Sequence, residues 1–408
     1  MSSPRPAASY AAVLRVPHAR RTFAAALLGR LSYGIVSLSL LLSLAAATGS
    51  YAVAGMITTV FAATSVVLGP ARAGLIDRWG ARRALPALAT PYAVALTALC
   101  LATWRPGAPL WLLTFLSAAA GTLTPPLGPT MRALWSALVP DRRLLQRAFS
   151  LDTVAEEGLF MTGPLIAVAV RPALGLALSA GLVLIGTLAL AASPAAKLLT
   201  AREPSVPAAR LRSAGVRKAA YAAAGLGCCL GALELYVVAF TDHHDRASAA
   251  GWILAAHAAG SAIGGLLYGR IAWRRPAAGR LPYLLAALAL LFALTGAAPT
   301  VVLFALGIAA AGTVVSPTMA TAYLAADELA PPGTATRATA WVNTGVNAGS
   351  SLGSGTAGLL VDRLPLPLCF LLAAAPPLLL ALGAYPRSGR DARGRSEAPL
   401  AKASEGRA

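Results

Sequence analysis

Charge is what this chain has least of. Of its 408 residues, 12% are Asp, Glu, Lys or Arg, while 57% are hydrophobic and the mean hydropathy is +0.68. A soluble domain spends about 25% of its residues on charge. The composition therefore excludes a water-soluble fold, which could not hide so much apolar surface, and calls for a bilayer. Cysteine is nearly as scarce. Cys100, Cys228, Cys229 and Cys369 each sit in an apolar stretch without ligand spacing, which excludes a disulfide framework and leaves them as small packing residues. A Walker loop, a zinc signature and a nucleophile elbow are all missing. Nothing points to an ATPase or a hydrolase, and neither cofactor nor metal is expected. No cleavable signal peptide is expected, because the apolar stretch behind the basic residues 1–22 is too long for one.

What is present is a series of twelve apolar segments, near 23–47, 51–71, 84–104, 109–130, 150–171, 173–192, 218–241, 248–270, 281–298, 300–325, 337–361 and 364–385. Each approaches the length of about 20 residues that a spanning helix needs. In hydrocarbon every backbone polar group must bond internally, so these segments should be helices. They are rich in Ala, Leu and Gly rather than alternating, which argues against a barrel. The expected fold class is an all-α integral membrane protein, with twelve transmembrane helices in two six-helix bundles.

The few charges are mostly cationic, giving a net charge of +19. With the N-terminus placed in the cytoplasm, 29 of the 34 Lys and Arg residues fall in inside connections. Only Arg105, Arg171, Arg246 and Arg363 fall outside, and Arg30 lies within the membrane. The positive-inside rule then predicts a multi-pass protein of the cytoplasmic membrane with both termini cytoplasmic. These cations face anionic lipid, so no nucleic acid is expected. The expected partners are a small-molecule substrate, protons and membrane lipids, with the chain acting as a monomer.

The longest inside connection, containing "REPSVPAARLRSAG", has no apolar period and reads as a linker. It divides the chain into an N-terminal segment (1–22), a first bundle (23–192), the linker (193–217), a second bundle (218–385) and a disordered tail (386–408). An internal echo supports two related halves. Pro129-Thr130-Met131 and Pro317-Thr318-Met319 lie 188 residues apart, at the ends of the fourth and tenth segments.

One short stretch breaks the greasy pattern. "GLIDRWGARR" (74–83) packs Asp77, Arg78, Arg82 and Arg83 between two uncharged segments, 31–71 and 84–104, with Arg72 alone before it. The run "GPARAGLIDRWGARRAL" resembles the signature loop of the major facilitator superfamily through Gly69-Pro70, Leu75, Asp77, Arg78, Gly80, Arg82 and Arg83. It departs from that pattern at Ala73, where a glycine is usual. Gly163-Pro164 resembles the Gly-Pro motif of the fifth helix in proton-driven exporters, without the full glycine repeat, and the eleventh segment resembles bacterial members. The resemblance implies a twelve-helix transporter akin to drug:proton antiporters. The residues themselves suggest a latch. Asp77, beyond the end of the second segment, can cap the N-terminus of a helix from the other half, worth up to about 1 kcal/mol. The arginines can hold acidic groups or lipid phosphates, or serve topology alone.

An ionisable group inside a membrane is a functional candidate by default. The candidates for proton coupling or the substrate cavity are Arg30, Glu156, Glu157, Glu234 and His257. Successive helix residues point about 100° apart, so only one of Glu156 and Glu157 is expected to face the cavity, with Glu156 preferred. Arg30 either snorkels or pairs with a carboxylate such as Glu156. Glu234 lacks a cationic neighbour in sequence and is favoured as proton carrier, while His257 reads best as a neutral core residue. "TDHHD" (241–245) reads as an outside loop. Gly345, Gly349 and Gly353 form one helical stripe, and Gly260, Gly264, Gly265 and Gly269 form two more. These suit tight packing or a sliding surface. Three functions remain open: proton-driven export of small molecules, proton-linked uptake of a nutrient, and a non-transporting receptor or assembly subunit.

Overall fold

The computed structural model describes residues 9–200 and 214–384. The expected linker falls mostly, and the expected tail entirely, outside the described residues. The helices are α1 (Tyr10–Arg15), α2 (Ala19–Thr48), α3 (Tyr51–Val67), α4 (Gly69–Trp79), α5 (Ala81–Ala102), α6 (Leu110–Leu123), α7 (Leu127–Leu138), α8 (Arg142–Ala169), α9 (Pro172–Ala192), α10 (Ala214–His243), α11 (Ala250–Arg270), α12 (Ala277–Thr295), α13 (Val301–Leu329), α14 (Ala335–Leu360) and α15 (Leu366–Ala384).

Local chemistry sets the ends. Gly49 closes α2 at φ 68°, returning its N–H to the Ala45 carbonyl. Asp141 opens α8 by accepting the Leu144 N–H at 2.8 Å. Two expected segments turn out to be broken. The second bends by 42° at Leu68, between α3 and α4, because Pro70 removes a helical N–H and crowds the preceding turn. The fourth divides into α6 and α7 around Pro125-Pro126. Asp77 therefore lies in the last turn of α4, not beyond a helix end, and "TDHHD" is largely the end of α10 rather than a loop.

Among the described residues, nine helices are long and apolar enough to cross a membrane, or ten if α3 and α4 form one bent span. The helix α8, with three carboxylates in its apolar part, and α14, rich in Asn, Ser, Thr and Gly, are more polar. Large apolar side chains stand exposed all along the helices, among them Leu165, Ile185, Leu306 and Leu379, as a lipid-facing surface requires. The chain is an all-α, multi-pass membrane protein.

Helices α2–α9 pack mainly on one another, with α2 against α8 and α9, α5 against α6 and α9, and α3 against α6. In α10–α15, α10 lies along α14, α11 and α12 flank α13, and α15 covers α10 and α12. The two sets meet where α8 touches α11 and α13, and where α14 touches α4 and α7. Glycines set the closest approaches. A Cβ on Gly163 would collide with the backbone of Gly34, bringing α8 onto α2, and Pro164 follows it half-buried. Gly345, Gly349 and Gly353 face the carbonyls of Ala220, Ala224 and Cys228 on α10. That stripe joins two helices of one set. Gly260 and Gly264 likewise meet α13, whereas Gly265 and Gly269 meet Val154 and Ser150 of α8, across the seam.

Candidate functional site

The seam between the two sets encloses a cavity of about 390 Å³, lined by residues of both, including Tyr33, Phe61, Arg72, Glu157, Tyr323 and Asn347. That volume lies within the range of small-molecule sites.

Four charged side chains meet beside it. Helix α2 supplies Arg30, α7 supplies Arg132, and α8 supplies Asp152 and Glu156, which share a face because they are one turn apart. Arg30 Nη1 donates to Asp152 Oδ1 at 2.7 Å, and Arg30 Nη2 reaches Glu156 Oε1 at 2.8 Å. Arg132 Nε lies 3.1 Å from Asp152 Oδ2, and its Nη2 bonds Glu156. The guanidinium of Arg132 also stacks over the Tyr323 ring from the other set, 3.5 Å from the centroid. Arg30 is 2% exposed and Asp152 0%, so Arg30 does not snorkel. Two cations and two anions leave the cluster neutral. Breaking such a group strands a buried charge and costs about 3–5 kcal/mol. We expect Asp152→Asn to lower membrane abundance and the melting temperature of the purified protein. An unchanged melting curve would remove the cluster's structural role.

Arg132 is a correction to the sequence reading, which counted it, with Arg72, among inside-loop charges. The break at Pro125-Pro126 restarts the helix as α7, so Arg132 is drawn into the buried seam. Arg72 is drawn in by the bend at Leu68. The two carboxylates also depart from expectation, since Glu156 and Glu157 both border the cavity. Helix α8 stands on the seam, so one face meets α2 and α7 while the adjacent face meets α11. Glu157 Oε1 accepts the Ser261 hydroxyl at 2.8 Å across the seam, and its Oε2 is buried without a hydrogen-bond partner. His257 lies one turn from Ser261 on α11 and is half-buried. Glu234 is exposed on α10, one turn from the cavity-lining Leu230. It takes part in no ion pair among the described residues.

At one end of the molecule, polar contacts close the seam. The Arg337 N–H in the first turn of α14 donates to Asp77 Oδ2 at 3.0 Å. Thr334, the N-cap residue of α14, makes no side-chain cap bond, so the carboxylate that caps this helix comes from the other set. Gly80, at φ 78°, turns the chain from α4 into α5. Arg78, Arg82 and Arg83 are exposed and form no ion pair among the described residues. Gly69 starts α4 beside Thr344 of α14.

A second clasp, which the sequence reading missed, seals the same end. Gln146 Nε2 donates to the carbonyls of Tyr268 and Ile271 at 2.9 and 3.2 Å, and Arg147 Nε donates to that of Gly269 at 3.0 Å. These are the last carbonyls of α11, where a cation is favoured. Arg280 Nη1 holds Gln146 Oε1 at 2.9 Å, and the Tyr10 hydroxyl bonds the Leu266 carbonyl at 2.5 Å. The available signal was a Gln-Arg pair in the first turns of α8, which reads as ordinary loop charge until the other set is in place. Among the described residues, the cross-seam hydrogen bonds lie between this end and the level of Glu157–Ser261.

The four cysteines are free thiols, and the described residues contain no group of His, Cys, Asp and Glu that could hold a metal ion.

The sequence profile of the Major Facilitator Superfamily matches residues 22–245 and again 221–406. No curated protein sequence matches the chain significantly. Among solved structures, the human organic anion transporter MFSD10 (TETRAN) superposes with a TM-score of 0.68 at 15% identity, over 90% of this chain and 99% of that one. A bacterial homologue of the iron transporter ferroportin, in an outward-facing state, gives 0.71 at 14% identity, over 90% and 98%. The E. coli fucose:proton symporter FucP gives 0.65 at 14%, over 92% and 99%. These likenesses establish a shared fold. With the profile matched across both halves, the chain belongs to the Major Facilitator Superfamily.

Proposed function

We propose that the chain is a proton-coupled secondary transporter that exports small molecules by alternating access. The observation that carries this reading is the asymmetry of the seam. A cavity between two helix sets is sealed at one end by helix caps donated across it, and no such bond among the described residues lies beyond Glu157–Ser261 towards the other end. Caps of this kind are worth about 1 kcal/mol each, enough to bias a two-state equilibrium and weak enough to release. Family and fold point to a transporter and not to an enzyme.

In this reading the twelve helical columns form two six-helix bundles, α3 with α4 and α6 with α7 each making one broken column. The sealed end carries the basic connections and faces the cytoplasm with both termini, so the cavity is drained from the cytoplasm and open outwards. Export is the direction favoured by Gly163-Pro164. Glu157, the cavity carboxylate outside the ion cluster, carries the proton.

The test is a substrate screen in inverted vesicles with a fluorescent pH probe. Export by exchange for protons means that substrate addition discharges the imposed acid interior. A substrate that instead accumulates only in right-side-out vesicles, moving with protons, would replace export by uptake.

A further inference from the structure

We propose that the substrate is an organic anion, and that Arg72 holds its negative group. This deepens the transporter reading and rests on it. Arg72 lines the cavity but is only 6% exposed. Its hydrogen bonds all go to backbone carbonyls. Nη1 donates to Gly121 at 2.5 Å and Thr122 at 3.0 Å, and Nη2 donates to Ser65 at 2.5 Å. A guanidinium has five N–H donors, so three are used, and Nε is buried without a partner.

No carboxylate among the described residues pairs with it, since the four ion pairs all belong to Arg30, Arg132, Asp152 and Glu156. Those carbonyls lie in the last turns of α3 and α6, just before the breaks α3/α4 and α6/α7. Their dipoles orient the cation but leave its full charge in the cavity. An unpaired buried charge is costly, and a ligand that supplies the counter-charge recovers that cost. The cluster beside it is neutral, and among the described residues that line the cavity Arg72 is the one Lys or Arg. Arg72 is therefore the cation left to meet an anionic group, while Glu157 lies on α8, in another helix. Phe61 and Phe160 offer an apolar body contact, while Asn343 and Asn347 offer polar ones. The fitting ligand is a compact carboxylate with an aromatic or aliphatic body, and a cationic drug is disfavoured.

The test uses full-length protein in lipid nanodiscs. The probes are 1-naphthoate, 1-naphthamide and 1-naphthylmethylammonium, which share one body and differ in charge. Occupancy is read as protection of Ser37→Cys, a cavity position, from maleimide in a background lacking native cysteines. We expect naphthoate, at about ten times its Kd, to slow labelling about tenfold, and the ammonium at the same concentration to have no effect. Arg72→Gln should abolish the protection. Because Arg72 also braces two helix breaks, Ser65→Asp serves as a second variant. It keeps the arginine and supplies a carboxylate beside it, and it should abolish protection as well. Protection by the ammonium, no protection by naphthoate, or undiminished protection in Ser65→Asp would overturn the proposal. Spin labels at Arg82→Cys and Arg274→Cys read opening of the sealed end separately. A fixed distance there sinks alternating access and leaves the charge preference standing.

Discussion

Asp77→Asn should leave the protein in the membrane at normal abundance and slow transport about five- to thirty-fold. The variant keeps an oxygen near the Arg337 N–H but removes the charge that faces the start of α14. A charge-assisted bond becomes a neutral one, and the favourable interaction with the helix dipole is lost, together about 1–2 kcal/mol. That is a factor of about 5–30 in an equilibrium. The loss falls on the state with the Asp77 end sealed, in which α4 and α14 meet. Fold is spared because neither set depends on this bond for its own packing. Transport rate and membrane abundance must be measured on the same preparation. Near-normal transport at normal abundance would mean that the contact is not a latch.

The second large effect concerns coupling. Glu157→Gln should reduce transport driven by a pH gradient to the level of empty vesicles, while substrate exchange at equal pH persists. Glutamine keeps the size of the side chain and the contact with Ser261, and it imitates a carboxyl group that never releases its proton. A carrier must be free to gain and lose charge as its surroundings dry and flood. Asp152 and Glu156 are held by two guanidinium groups each, so they are poorly suited, whereas Glu157 has one hydroxyl partner and an unsatisfied oxygen. Glu234→Gln is the control. The sequence favours Glu234 as carrier, yet it is exposed one turn from Leu230 and is not among the residues that line the cavity. Loss of gradient-driven transport in Glu234→Gln but not in Glu157→Gln would restore that choice.

Much of the membrane architecture was legible because hydrocarbon is a demanding solvent. Apolar runs of spanning length, broken by basic connections, have few alternative folds. The errors cluster at prolines. Pro70 and Pro125-Pro126 do not end their spans but bend and restart them, and each restart carries an arginine inward that a window of apolar residues assigns to a loop. The sequence named Arg30 as a partner for Glu156. It had no means of finding Arg132, whose partners lie on two other helices. The preference for Glu156 over Glu157 assumed one facing direction, whereas α8 stands on the boundary of two sets and both border the cavity. Residue 320, which the 188-residue offset pairs with Arg132, is an alanine, so the ion cluster belongs to one half only.

The cap on α14 has a consequence for water. The first amides of a helix have no partner within it, and here at least one of them is satisfied only by a side chain that must withdraw when the seam opens. The last carbonyls of α11 are in the same position with respect to Gln146 and Arg147. Each group released must find solvent at once, since an unmet buried amide costs more than the bond it lost. Opening of the sealed end is therefore a hydration reaction, in which water is a stoichiometric reactant and not a bystander. Solutes excluded from the crevice withhold that reactant, and by mass action they hold the transporter with this end shut.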